Sequence, residues 1–326
     1  MKKQLISMVL MAAMTVSMLT GCKTAGGKKA EAPSSGNQAA AEAKTEDEEK
    51  ASEGGEDYSY HWKLATTESS DYYMTQLSQE FLDIVEEKTG GKVTGEVFAS
   101  GQLGGLVDAL EGLEMGNIDI VMDGVSSLSA VDDIFNVWCL PFLYDNKEHQ
   151  YRFWDNHFDE VSDMVAEQSG FRLGSVIDGM NRELASTVPV ESMADLKGLK
   201  IRVPNIPGYV RIWECLGAAP IPMSLSEVYT SIQTGVVQGQ ENDIALTLSL
   251  KFYEVAPYCV MTDHVAYEGS FYFNEEEYQS YPDELKQIIQ EAGEEIKLKS
   301  RSIIKEQETE CMKQIEDMGV TICRPD

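Results

Sequence analysis

The chain has 326 residues and carries 55 Asp and Glu against 26 Lys and Arg, a formal net charge of -29 at pH 7. That acidic balance argues against nucleic acid or an anionic lipid surface as a partner. Its 6 cysteines and 4 histidines are spaced without a CxxC or a His-x-x-x-His pair, which argues against a transition-metal site.

The first stretch, "MKKQLISMVLMAAMTVSMLTGC", opens on Lys2 and Lys3 and continues as an apolar run from Leu5 to Leu19. The run falls short of the roughly 20 residues that span a bilayer and fits the core of a signal peptide. Leu19-Thr20-Gly21-Cys22 resembles the bacterial lipobox, whose cysteine is acylated and becomes the mature N-terminus. Residues 1–22 are therefore expected to be a lipoprotein signal, with Cys22 as the lipid attachment point.

Residues 23–57 contain Ala, Gly, Glu, Lys and Ser but no aromatic or large aliphatic residue. They cannot bury enough apolar surface to offset the entropy of ordering and are expected to form a disordered tether, with a reach on the order of 30–35 Å. With Cys22 lipidated, Cys139, Cys215, Cys259, Cys311 and Cys323 remain, an odd number that excludes a complete disulfide framework.

From residue 58 the pattern becomes globular. "HWKLATT" (61–67) predicts a strand, and Ser70 a cap for a helix with Leu77, Phe81, Ile84 and Val85 on one face. "GKVTGEVF" predicts a second strand, "GQLGG" a turn, Leu106, Leu110 and Leu113 a helix, and "IDIVM" (118–122) another strand. This alternation predicts an α/β fold in which a mainly parallel sheet is covered by helices on both faces.

A second lobe is expected from about Gly179. "LKIRV" (199–203) predicts a strand, Tyr209 to Leu216 a short helix, and "APIPM" an extended linker. Ser224-Leu225-Ser226-Glu227 forms a capping box, and Gly235 ends the helix that follows. Extended segments near Cys259–Thr262 and Gly269–Phe273 read as hinge strands between lobes, and Ser280-Tyr281-Pro282-Asp283 opens a long C-terminal helix. The expected lobes are 58–179, joined by about 268–305, and 180–267, with 306–326 as the last part of the long helix.

A period of two in "LKIRV" puts Leu199, Ile201 and Val203 on one face and Lys200 and Arg202 on the other. Pro204 cannot extend the ladder, so Arg202 lies at the carboxyl end of a strand, where ligands bind in open α/β sheets. A guanidinium there matches a carboxylate bidentately. In so acidic a chain it equally suits a structural salt bridge, and the spacing alone leaves both open.

Residues Asp195 to Asn242, "DLKGLKIRVPNIPGYVRIWECLGAAPIPMSLSEVYTSIQTGVVQGQEN", closely resemble the signature of the substrate-binding proteins of TRAP (tripartite ATP-independent periplasmic) transporters. Further matches are "EEKTGGKV" with "GQLG" (86–104), "LPFLY" (140–144) and "FYEVAPYCVMTDH" (252–264). The resemblance covers nearly all of 58–323. It implies a two-lobed clamp of the periplasmic-binding-protein kind that captures a small organic acid outside the cell and passes it to TRAP permease membrane subunits. Such proteins are not enzymes and use no cofactor.

The resemblance makes Arg202 the carboxylate anchor, Arg182 a second arginine 20 residues upstream, and Asn242 a ligand-facing amide. Thr67, Glu68 and Asp71 follow the first strand, and Asp123 follows the strand at 118–122. All four are candidates to face the cleft, where carboxylates suit sugar hydroxyls as hydrogen-bond acceptors. Leu225 stands where the family often has an aromatic residue, Trp213 and Tyr229 read as core, and His264 as a structural hinge residue. The family usually continues with another helix after the segment matching "GVTICRPD".

A sugar acid such as a uronate or aldonate suits this residue set, with a C4-dicarboxylate or other simple carboxylate as the alternative. A ligand-sensing subunit for a signalling partner is a reading from another class. For an enzyme there is no G-x-S-x-G, no GxxxxGK[ST] and no GxGxxG. The expected location is extracytoplasmic, with membrane attachment only through lipid on Cys22.

Overall fold

A computed structural model of the chain describes residues 58–325, so Cys22, the signal and the tether expected before residue 58 lie outside the described residues. The first elements follow the apolar pattern: β1 (Tyr60–Ala65), α1 (Tyr73–Lys88), β2 (Val93–Phe98), α2 (Leu106–Glu114) and β3 (Ile120–Gly124). α1 begins later than expected. Ser70 is exposed, and the cap position belongs to Tyr72, which is extended and whose hydroxyl donates to the Asp243 carboxylate instead of serving the helix.

The middle of the chain supplies α3 (Lys147–Ser169), β4 (Phe171–Ser186), β5 (Lys200–Val203), α4 (Pro207–Cys215), β6 (Ala219–Pro222), α5 (Val228–Gln233), β7 (Gly239–Asn242) and α6 (Ile244–Ser249). β8 (Tyr258–Asn274), α7 (Glu275–Ser280), α8 (Asp283–Asp317) and β9 (Thr321–Cys323) complete it. "APIPM" is a strand, not a linker: β6 is the last in the sheet order, and an edge tolerates the missing amides of Pro220 and Pro222. The long helix ends at Asp317, Gly319 turns the chain at φ 82°, and β9 pairs with β8, so 306–326 is only partly helical.

Among the described residues the strands form one sheet in the order β2-β1-β3-β8-β4-β7-β5-β6, with β9 beside β8. Its two ends are parallel triplets, β1 between β2 and β3, and β5 between β6 and β7. The centre is antiparallel, with β8 between β3 and β4, and β4 against β7. β4 and β8 span 16 and 17 residues and join the two triplets. Gly179, expected at a lobe boundary, lies inside β4 where the register with β8 shifts between Asp178 and Asn181.

Alternation along the strands builds a core on each face of the first triplet. Trp62, Leu64, Phe271 and Phe273 turn toward α1 and α8, and Phe81 stacks on Phe271 with ring centroids 4.3 Å apart. Ala65, Val121 and Tyr272 turn the other way, toward Leu110 and Leu113 of α2 and Trp154 of α3. α8 buries Leu285, Ile288, Ile289, Ala292 and Ile296 as one stripe. Its Gly293 lies so near β4 that an added Cβ would stand 2.7 Å from the Gly174 carbonyl oxygen. Around the second triplet, Ile201, Val203, Ile212 and a fully buried Trp213 form a separate cluster, while Tyr229 is only half-buried at the rim of a smaller one.

Candidate functional site

The parallel triplets turn their carboxyl ends toward one cavity of about 230 Å³. Thr67 and Glu68 follow β1, Ser100 and Gly101 follow β2, and Asp123 belongs to β3. From the second triplet come Arg202 of β5, Met223 just after β6, and Asn242 at the end of β7. Carboxyl ends of parallel strands are where open α/β sheets place ligands, because successive connections leave toward opposite faces there. Arg182 of β4 and Tyr267 of β8 close the wall.

The two arginines differ. Arg182 is buried and held by Glu241, with Nε donating to Oε2 at 2.6 Å and Nη2 to Oε1 at 2.9 Å and to the Glu241 carbonyl at 3.0 Å. The rings of Tyr209 and Tyr267 lie 4.9 and 5.2 Å from its guanidinium carbon. Burial opposes the charge, but Glu241 more than offsets it and holds the Arg182 pKa well above the ordinary value. Burial likewise opposes ionised Glu241, and Arg182 and then His264 bring its carboxyl below the usual range.

His264 is a positioning residue beneath this pair. Its Nε2 lies 3.3 Å from Glu241 Oε2, and its Nδ1 lies 2.8 Å from the Thr262 hydroxyl. A tautomer protonated on Nε2 donates to Glu241 and accepts from Thr262. The ring also packs edge-on to Trp213 at 5.1 Å, so the hinge role expected for His264 takes the form of a brace for Glu241.

Arg202 has no such partner. Its Nε and Nη2 both donate to the Met223 carbonyl, at 3.0 and 2.9 Å, which fixes the plane of the guanidinium. Among the described residues no carboxylate lies within ion-pair distance of it, although the residue is only 3% exposed. Burial lowers its pKa to about 10, so it stays charged at neutral pH. A buried cation with no carboxylate paired to it is costly unless an anion arrives.

Of the other expected residues, Thr67, Glu68, Asp123 and Asn242 line the cavity and Asp71 does not; it is exposed, in the turn before α1. Glu68 is buried, with one oxygen unpartnered and the other accepting from the Tyr267 hydroxyl at 3.4 Å. Burial, then Asp123 and Asp243, push its carboxyl well above the usual range. Asp123 accepts from the Gly124 amide at 2.7 Å and the Ser127 hydroxyl at 2.5 Å. Asn242 donates to Gln240 Oε1 at 3.3 Å.

Leu225 lines the wall where an aromatic residue is usual in the resembling family. Residues that sequence reasoning passed over include Ser126, Ser127, Tyr209 and Tyr267. "GQLGG", read only as a turn, also reaches the wall, and positive φ at Gly101 and Gly104 brings its backbone close to the cavity.

Residues 64–326 match the family described as bacterial extracellular solute-binding protein, family 7. The chain belongs to this family. Its members are solute-binding components of TRAP transporters. Among its relatives, the sialic acid-binding periplasmic protein SiaP of Vibrio cholerae is 31% identical over 245 residues, 75% of this chain and 76% of that protein. A solute-binding protein of Roseobacter denitrificans is 37% identical over 178 residues, so that the match spans 54%, about half, of each.

The structure of that Roseobacter protein with bound L-galactonate superimposes with a TM-score of 0.78, covering 82% of this chain and 90% of its own at 28% identity. A TRAP solute-binding protein of Sulfitobacter with bound β-D-galacturonate does so with a TM-score of 0.78, 30% identity, and coverage of 82% and 89%. The family-7 fold thus accounts for the long helix and the mixed sheet.

Proposed function

We propose that this family-7 protein captures a monosaccharide-derived acid outside the cytoplasm, binds it through Arg202, and delivers it to a TRAP permease in the membrane. The observation that carries the reading is the buried guanidinium of Arg202, without a paired carboxylate among the described residues, in a cavity whose wall also offers hydroxyls, amides and acids beside apolar side chains. A carboxylate completes that guanidinium bidentately, and the remaining acceptors suit hydroxyl groups. A cavity of about 230 Å³ is below the roughly 300–1,000 Å³ of drug-sized pockets and suits one sugar unit. The galacturonate and galactonate held by the two superimposing relatives support the same class.

In this reading Arg182, Asn242, Thr67, Glu68 and Asp123 contact the ligand and Asp71 does not. The halves 58–179 and 180–267 close on the ligand by bending β4 and β8, which shifts the population toward the closed form. Lipid on Cys22 tethers the protein at the outer membrane face through residues 23–57. The protein is a carrier with no catalytic residue.

A thermal-shift screen of the purified protein against hexuronates, aldonates, C4-dicarboxylates, sialic acid and keto acids tests this. Ligand at about 100 times its Kd stabilises by roughly 2.7 kcal/mol, a readily visible shift. A uronate or aldonate shift supports the reading, and a shift with C4-dicarboxylates alone contradicts it.

A further inference from the structure

The charged side chains on the cavity wall are Glu68, Asp123, Arg182 and Arg202. Glu241 already matches the charge of Arg182 through both carboxylate oxygens. Arg202 is therefore the only cation on the described wall without a carboxylate in ion-pair contact. Glu68 and Asp123 lie at the carboxyl ends of adjacent parallel strands, three and two residues beyond the Ala65↔Val121 pair. Glu68 is 4% exposed and one of its oxygens has no hydrogen-bond partner. No lysine or histidine lines the described wall. The groups that bear on Glu68 are Asp123 of β3, Asp243 at the start of α6, Tyr267 of β8 and the already committed Arg182 of β4.

We propose that Glu68 and Asp123 restrict the cavity to hydroxy acids bearing one carboxylate and exclude acids carboxylated at both ends. The proposal rests on the sugar-acid reading above. One ligand carboxylate satisfies Arg202. The remainder of the ligand meets the two acids, where a hydroxyl donates a hydrogen bond but a second carboxylate brings an uncompensated charge. Burial, with Asp123 and Asp243, raises the Glu68 pKa, so the second carboxylate arrives where the protein's own acid is already hard to ionise. At an effective dielectric of about 20 and a separation of about 5 Å, repulsion by the Asp123 carboxylate, whose charge the Gly124 amide and Ser127 hydroxyl favour, corresponds to on the order of 100-fold in affinity.

Galacturonate, galactonate and galactarate share a six-carbon skeleton, and galactarate alone has a carboxylate at each end. Isothermal titration of the purified protein with all three is expected to show galactarate bound about 100-fold more weakly than the better of the other two. The ratio is expected to fall about tenfold or more in Glu68→Gln or Asp123→Asn. Galactarate within about threefold of the monocarboxylates in the unaltered protein overturns the proposal, and that comparison needs no variant to fold. An unchanged ratio in both folded variants also overturns it. Failure of all three acids to bind overturns the sugar-acid reading itself, and the proposal with it.

Discussion

Glu241 grips Arg182 at 2.6 and 2.9 Å across 59 residues of sequence, and this pair sets the electrostatics of the cavity. It neutralises one arginine and fixes its orientation before any ligand arrives, which lowers the ordering cost of binding. Arg202, in the same parallel triplet as Glu241, keeps its charge for the ligand.

Glu241→Gln strands the Arg182 charge inside the protein. Breaking a buried ion pair in this way costs roughly 3–5 kcal/mol. Urea unfolding of the variant is expected to show a loss of that order; a change below about 1 kcal/mol would mean that the pair contributes little.

Gly208, in the first turn of α4, packs against Cys139 of the other expected half, and an added Cβ would stand 2.5 Å from the Cys139 Cβ. Overpacking costs roughly 1–3 kcal/mol. If the halves close on the ligand, Gly208→Ala places that cost on the closed form. Affinity should drop about tenfold while the melting temperature without ligand changes little. A large loss of stability with unaltered affinity would instead make the contact part of a fixed core.

Glu183 is buried, and its Oε2 accepts from the backbone amides of Thr262 and Asp263 at 2.5 and 2.9 Å. Burial, then Asp263, pushes its carboxyl up to about 9. An acid with a raised folded pKa holds its proton in the native state after the unfolded chain has released it. Its contribution is therefore full below the ordinary Glu value and declines as pH rises toward about 9. Melting temperatures of Glu183→Gln measured between these limits should fall less with pH than those of the unaltered protein; parallel curves would refute the assignment.

Local signals were the legible part. "LKIRV" before Pro204 located β5 and its arginine, the Ser224–Glu227 capping box forms with Glu227 Oε2 accepting from the Ser224 amide at 3.1 Å, and Gly235 adopts φ 75°. β4 was not legible, because it is buried on both faces, lacks alternation, and contains Gly174 and Gly179. β8 read as two segments for a similar reason, with Gly269 inside it and register shifts along its pairing with β4. The Arg182–Glu241 pair and the Ser126–Tyr209 hydrogen bond at 2.9 Å join residues far apart in the chain, which no local pattern encodes. Asp71 was misplaced because the true cap, Tyr72, pulls the start of α1 past it.

The most direct measurement is the Kd of galacturonate or galactonate, whichever binds, for the purified protein and for Arg202→Ala. Losing the only unpaired cation on the described wall leaves a ligand carboxylate buried without a partner, at a cost of roughly 3–5 kcal/mol. The predicted result is affinity lower by about two to three and a half powers of ten, with the variant still folded. Affinity retained within about threefold would contradict the account, because the ligand carboxylate would then be held elsewhere.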